Sequence, residues 1–452
     1  MEIVLHSPRI LEGEVTVPGD KSISHRAAIF NALSRSKAQV THFSPGEDCL
    51  ATVRCLQALG VGIEPISDGI EVNGVGETGL METEDILDAA NSGTTMRLLT
   101  GLLAPQPFFS VLTGDASLRS RPMDRIIQPL RLMGAHIWGR EGDTKAPLAI
   151  LGSPLHGITY RLPVASAQIK SAILLAGLWA DGETSIEEPA LSRDHTELML
   201  QAMGVELNRE GNWVHLHPIT SPLNPLNIEV PGDISSAAYF LVAGIVHPQA
   251  KVKVKNVGIN PTRAGLLDAL RAMGAKLTVE AERWQGGELV ADIQVESSQL
   301  EAVELHGELI PKLIDEIPVL VVAALAAKGT TIIRDAAELR VKETDRIAHT
   351  VRELRLLGAN IEELPDGMVV HPSHLHGGEV DSHGDHRLAM TLAVASLLVA
   401  QGETVIGDAQ AVAISYPNFW EEWQRLIGGE KNDGKQSKHR ANPYRIRQHL
   451  SY

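Results

Sequence analysis

The chain has 452 residues, 44% of them hydrophobic and 21% charged, which excludes a disordered or collagen-like chain and suffices for two or three domains with sizeable cores. Its 40 lysines and arginines face 56 acidic residues, and a formal net charge of −16 argues against a nucleic-acid binder, whose affinity phosphate contacts dominate. The two cysteines, Cys49 and Cys55, make neither a disulfide framework nor a zinc site, so a cytoplasmic protein is expected, and no apolar run reaches the roughly 18 residues of a membrane span.

In chain order, one pair of helices recurs six times. The first helix of each pair opens at Asp20, Asn91, Ser166, Asp233, Asp315 and Asp385, at intervals of 67 to 82 residues. The second closes on Gly60, Gly134, Gly204, Gly274, Gly358 and Gly428, at intervals of 70 to 84 residues. Each closing glycine follows Leu, Met or Ile and reads as a left-handed cap. The opening residues are good N-caps. Beyond them the first helix turns apolar on nearly every face, as in Ile317–Leu325, and apolar all round means buried. Alternating runs such as Lys251–Val257 and Ala275–Val279 supply strands between the helices.

Val17-Pro-Gly-Asp20 returns as Val230-Pro-Gly-Asp233, each time just before a buried helix. Two chain crossings are expected there, giving one lobe of residues 20–230 and another of 1–19 plus 231–428. Residues 429–452 read as a loose polar tail.

The polar first turns carry the chemistry. Lys21, Ser22 and Arg26 fall within about two turns of Asp20, Gly93 and Arg97 follow Asn91, Gln168 follows Ser166, and Arg387 follows Asp385. Loops add Arg119, Arg121, Arg340, Lys342 and Arg346. A helix N-terminus offers free N–H donors and the positive end of a dipole. Any one serine here is more often only a cap, and any one arginine more often a solvated charge. Their repetition points instead to a cationic site for a small, phosphorylated polyanion.

Three other patterns are decoys. Gly13–Ser22 lacks the spacing of a phosphate-binding loop, because no glycine adjoins Lys21. Gly74–Gly79 matches G-x-G-x-x-G, but no helix pattern follows it. His371, His374 and His376 read as a polar loop, with no metal-ligand spacing beside them.

In order along residues 5–428, Pro18–Arg26, Asn91–Arg97, Arg121-Pro-Met, Ser166–Gln168, Leu339–Arg346 and Asp385–Arg387 closely resemble the 3-phosphoshikimate 1-carboxyvinyltransferase (EPSP synthase) family. The resemblance implies an α/β fold, a two-lobed inside-out barrel of six βαβαββ repeats, three per lobe, with buried helices whose N-termini face the interlobe cleft. It implies transfer of the enolpyruvyl group of phosphoenolpyruvate to shikimate 3-phosphate, with no metal or organic cofactor, in a cytoplasmic monomer with no nucleic-acid or membrane partner. On matching positions, Lys21, Ser22, Arg26, Ser166, Gln168, Ser192, Asp315 and Lys342 would hold shikimate 3-phosphate. Lys21, Gly93, Arg121, Gln168, Arg346 and Arg387 would hold phosphoenolpyruvate. Asp315 would be the base for the 5-hydroxyl, and Glu343, with Lys21, the proton donor to the methylene.

Four positions depart from the best-known form of the family: Ile414 for a lysine, Glu338 for an asparagine, His195 for a tyrosine and Ala167 for a second serine. These departures resemble the family's divergent second class and put the C-terminal phosphoenolpyruvate contact in question. The related UDP-N-acetylglucosamine enolpyruvyl transferases typically carry a cysteine on the loop that here reads Gly114–Asp124, which has none. A repeat scaffold without activity would need neither Asp315 nor Glu343 beside the cations.

Overall fold

Twelve helices of eight residues or more form among the described residues, two for each repeat: α1 (Lys21–Ala32), α2 (Glu47–Ala58), α3 (Gly93–Leu103), α4 (Asp124–Leu132), α5 (Ala167–Gly177), α6 (His195–Ala202), α7 (Ile234–Val246), α8 (Gly265–Ala272), α9 (Ile317–Ala326), α10 (Arg346–Leu356), α11 (His386–Ala395) and α12 (Phe419–Gly428). The structure is a computed structural model that describes residues 1–76, 79–428 and 444–447. The odd-numbered helices are the apolar ones and are buried along most of their length. The even-numbered ones are amphipathic and expose one face, as their mixed sequences require. No helix among the described residues is long and apolar enough to cross a membrane.

Six four-stranded sheets share one topology among the described residues. In the sheet around α3, Leu87–Asp88 runs parallel to Phe109–Thr113, which is antiparallel to Lys145–Leu151, itself antiparallel to His136–Gly139. The apolar helix is the crossover between the two parallel strands, and the amphipathic helix leads to the antiparallel pair.

Two compact units result. One comprises Pro18–Pro231 and Trp284–Glu288 and is here the Lys21 unit; the other comprises Met1–Val17, Gly232–Arg283 and Leu289–Tyr452 and is the Asp315 unit. Each has its own core. The first strand of one sheet in each unit is separated in sequence from the helix it serves. Leu11–Thr16 pairs with Ala250–Gly258, which follows α7, although the chain runs from Thr16 into α1. Ile228–Glu229 pairs with Lys37–Thr41, which follows α1, although the chain runs on into α7. The repeated Val-Pro-Gly-Asp marks these two passages. Trp284–Glu288 is a further passage that no repeat marker signals: it is the tip of a hairpin between Lys276–Gln285 and Glu288–Glu296, turned by Gly286 and Gly287 at φ of +59° and +86°.

The helix starts follow from local chemistry. The side chain of Asp20 accepts a hydrogen bond from Ile23 N at 2.9 Å, Ser166 from Ile169 N at 3.5 Å and Asp233 from Ser235 N at 2.7 Å. Asp385 accepts from Arg387 N at 2.9 Å. Two starts differ from expectation. Ser92, not Asn91, caps α3 by accepting from Thr95 N at 3.1 Å, because Asn91 is engaged by Asp115 and Arg121. Asp315 lies in the turn Ile314–Glu316 ahead of α9, whose second residue is Pro318. Gly60, Gly134, Gly204, Gly274 and Gly358 adopt φ between +83° and +104°, whereas Gly428 is the last residue of α12 itself. In the expected loose tail, Tyr444–Arg447 instead pairs antiparallel with Glu2–Leu5; the other residues of 429–452, like Glu77 and Thr78 of the G-x-G-x-x-G match, lie outside the described residues.

Packing brings α3 and α5 into close contact. A Cβ on Gly101 of α3 would lie 2.2 Å from the carbonyl oxygen of Ala172 on α5, so this approach of two helices needs glycine.

Candidate active site

In the Lys21 unit the first turns of α1, α2, α3 and α5 form one connected polar group. Lys21, the first residue of α1, reaches Asp48 Oδ2 in the first turn of α2 with Nζ at 2.9 Å. Thr95 Oγ1 on α3 donates to the carbonyl of Asp48 at 3.3 Å and lies 2.6 Å from Thr52 Oγ1, which is 2.7 Å from His25 Nδ1. Burial, with Lys21 and Arg26 beside it, holds His25 well below its usual pKa.

Gly93 opens α3. Arg97, one turn on, donates to Gln168 Oε1 at 2.8 Å, and Gln168 Nε2 donates to Thr94 Oγ1 at 2.9 Å. Arg121 donates to Asn91 Oδ1 at 2.8 Å and to Ser117 Oγ at 3.4 Å. A Cβ on Gly93 would sit 2.5 Å from Nη1 of Arg97 and 3.3 Å from Nη1 of Arg121. The missing side chain thus opens onto two guanidinium groups, and Gly93, Arg121 and Gln168 come together as expected.

Arg26 and Ser192 face inward. Arg26 donates to Thr196 Oγ1 at 2.7 Å, to the carbonyl of Ser22 at 2.9 Å and to Ser171 Oγ at 2.7 Å, so it braces α1 against α5 and α6. Burial lowers its pKa to about 10. Ser192 N donates to Glu188 Oε1 at 3.2 Å, and its hydroxyl donates to the same oxygen. A hydroxyl has one proton, so Ser192 must rotate away from Glu188 before it can donate to an anion. Glu188 in turn meets Lys170 at 3.0 Å and Arg209 at 2.7 Å, and Lys170, with no solvent exposure, also meets Glu197 at 2.6 Å. Ser166 is half-buried at the start of α5. His195 Nδ1 lies 2.7 Å from Glu288; burial opposes its charge, but the carboxylate prevails and raises its pKa.

In the Asp315 unit the cations surround carboxylates. Asp315 Oδ1 lies 3.3 Å from Arg346 and 3.6 Å from Lys342, and its Oδ2 lies 4.0 Å from Arg387. Arg346 is 2% exposed, donates to Asp385 Oδ2 at 2.8 Å and also pairs with Glu343. Burial alone would raise the pKa of Asp385, but Arg346 holds it below the usual value. Arg387 lies 3.9 Å from Glu316, which accepts from Arg263 at 2.7 Å. Asp315, Lys342, Glu343, Arg346 and Arg387 are therefore one cluster.

Two arginines expected among the loop cations do other work. Arg119 donates to the carbonyl of Gly114, and Arg340 clips Asp345 at 2.8 Å and Glu363 at 2.9 Å. Sequence reasoning missed the counter-charges Asp48, Glu188 and Glu316, and it missed Arg263. Asp48 had a signal, because it stands in the first turn of a helix as the chosen cations do; Arg263, on a loop outside both marker series, had none.

Comparison with known proteins gives a consistent set of likenesses. The family described as EPSP synthase (3-phosphoshikimate 1-carboxyvinyltransferase) matches residues 5–423. A 3-phosphoshikimate 1-carboxyvinyltransferase of Herpetosiphon aurantiacus is 52% identical over 428 residues, 94% of this chain and 99% of the relative. One of Desulforudis audaxviator is 55% identical over 421 residues, 93% of this chain and 98% of the relative. The solved structure of EPSP synthase from Acinetobacter baumannii superposes with a TM-score of 0.84 at 45% identity, covering 94% of this chain and 98% of that one.

Proposed function

The chain belongs to the EPSP synthase (3-phosphoshikimate 1-carboxyvinyltransferase) family, and from that premise we propose which of its side chains carry the reaction. The reaction transfers the enolpyruvyl group of phosphoenolpyruvate to the 5-hydroxyl of shikimate 3-phosphate, giving 5-enolpyruvylshikimate 3-phosphate and phosphate in the shikimate pathway to aromatic amino acids.

In this proposal Lys21, Ser22, Ser166, Gln168, Ser192, Asp315 and Lys342 hold shikimate 3-phosphate, and Arg26 serves them by bracing α1. Phosphoenolpyruvate is held by Lys21, Gly93, Arg121, Gln168, Arg346 and Arg387. Asp315 takes the proton of the 5-hydroxyl as that oxygen bonds to C2 of phosphoenolpyruvate. Glu343, with Lys21, gives a proton to the methylene carbon, making a methyl group in the tetrahedral intermediate. Loss of a proton from that methyl and cleavage of the C–O bond to phosphate then restore the double bond.

The observation that carries these roles is Asp315 facing Lys342, Arg346 and Arg387 at 3.3 to 4.0 Å. Three cations therefore face the carboxylate to which the role of base is given. Arg346 meets three carboxylates, Asp315, Glu343 and Asp385. Of the three, Glu343, with 14% side-chain exposure, is the most open to substrate. We place the enzyme in the cytoplasm as a monomer. Phosphate release tests the reading: the chain should release phosphate when shikimate 3-phosphate and phosphoenolpyruvate are both present and none from either alone. Release without shikimate 3-phosphate would contradict it.

A further inference from the structure

Asp315 and Glu316 are consecutive carboxylates with different surroundings. Asp315 keeps 10% side-chain exposure, whereas Glu316 has none. Glu316 Oε2 accepts from Arg263 at 2.7 Å, and its Oε1 accepts from the hydroxyl of Ser235. That hydroxyl accepts in turn from Arg263, which also lies 3.8 Å from Asp233 Oδ1. Arg263, Glu316 and Ser235 therefore close a buried triangle in which each member is bonded to both others.

Arg387 lies beside this triangle. Its Nη1 is 3.9 Å from Glu316 Oε1, and its Nη2 is 4.0 Å from Asp315 Oδ2. Both separations exceed hydrogen-bond length, so two carboxylates attract the guanidinium and neither captures it. Were Glu316 uncharged, Asp315 alone would draw Arg387 into a close ion pair. That pair would occupy the planar edge of the guanidinium, which binds anions two bonds at a time.

We propose that Glu316, anchored by Arg263 and Ser235, is a positioning residue that keeps Arg387 from closing onto Asp315, so that the arginine stays open to an incoming anion. The proposal rests on the assignment of Arg387 to phosphoenolpyruvate.

The test is steady-state kinetics on the double variant Arg263→Gln with Glu316→Gln, which removes the two charges of the buried ion pair together. The expected result is a thermal midpoint near that of the unchanged protein, a KM for phosphoenolpyruvate raised about tenfold, and a KM for shikimate 3-phosphate within about twofold. Glu316→Asp keeps the charge and should stay within about threefold on both constants. A purely structural triangle would lower the midpoint and leave both KM values unchanged, which would overturn the proposal. Should the double variant fail to fold, Ser235→Ala, which loosens Glu316 without removing a charge, should still raise the KM for phosphoenolpyruvate selectively; an unchanged value would overturn the proposal equally. Arg387→Gln separates the two layers. If it leaves the KM for phosphoenolpyruvate unchanged, the assignment and the proposal fall together; if it raises that KM and the double variant does not, the proposal alone falls.

Discussion

Arg346 Nη1 lies 3.3 Å from Asp315 Oδ1, and the same guanidinium holds Asp385 at 2.8 Å. One buried arginine thus fixes the carboxylate proposed as the base and the carboxylate that caps α11. Asp315→Asn keeps the shape and removes the base. Its kcat should fall by about 10²- to 10⁴-fold while the thermal midpoint stays within a few degrees, and single-turnover phosphate release with a melting curve would check both.

Gly93→Ala should act on one substrate. The new Cβ would meet Arg97 at 2.5 Å and Arg121 at 3.3 Å, and the ends of two flexible side chains can shift to admit it. The expected outcome is a KM for phosphoenolpyruvate raised about fivefold or more, little change for shikimate 3-phosphate and a stability change under about 1 kcal/mol. Equal effects on both substrates would contradict the position given to Gly93.

Lys170→Met should cost about 3 to 5 kcal/mol of stability, because it takes from the buried Glu188 and Glu197 the cation that both share. Urea unfolding measures the loss. The variant should also raise the KM for shikimate 3-phosphate, because Glu188 positions the backbone of Ser192 by accepting from its N at 3.2 Å.

Two buried histidines should give stability opposite slopes with pH. His25 is held below its usual 6.5, first by burial and then by Lys21 and Arg26. The unfolded chain binds that proton more readily, so the contribution of His25 is full above about 6.5 and is lost as pH falls toward its folded value. His195 is raised above 6.5 because Glu288 outweighs burial, so its contribution is full below about 6.5 and is lost as pH rises through the folded value. His25→Gln should flatten the acid side of the stability curve and His195→Gln the neutral-to-alkaline side, as read from urea midpoints between pH 5 and 8.

Much of the repeat was legible because its marks are local. Asp20, Ser166, Asp233 and Asp385 announce helices by side chains that reach backbone two or three residues on, and five closing glycines take the left-handed turn that their neighbours require. Asn91 and Asp315 misled by one or two residues because distant partners, Arg121 and Arg346, claim their side chains. The cations of the site were legible by their recurrence at helix starts. Their counter-charges were not: Arg263 and Glu316 meet across 53 residues, and Ser192 turns toward Glu188 within a loop, with no period to betray either contact. The passage at Trp284–Glu288 is a hairpin tip, and a six-fold count of helices has no place for it.

The central claim is that the polar starts of the apolar helices carry the transfer, and Lys21 tests it most directly. It opens α1, meets Asp48 at 2.9 Å and stands in both proposed substrate sets. Steady-state phosphate release by Lys21→Met, with both substrates saturating for the unchanged protein, should fall to background while circular dichroism and the melting curve remain those of a folded chain. Full turnover in that variant would contradict the account.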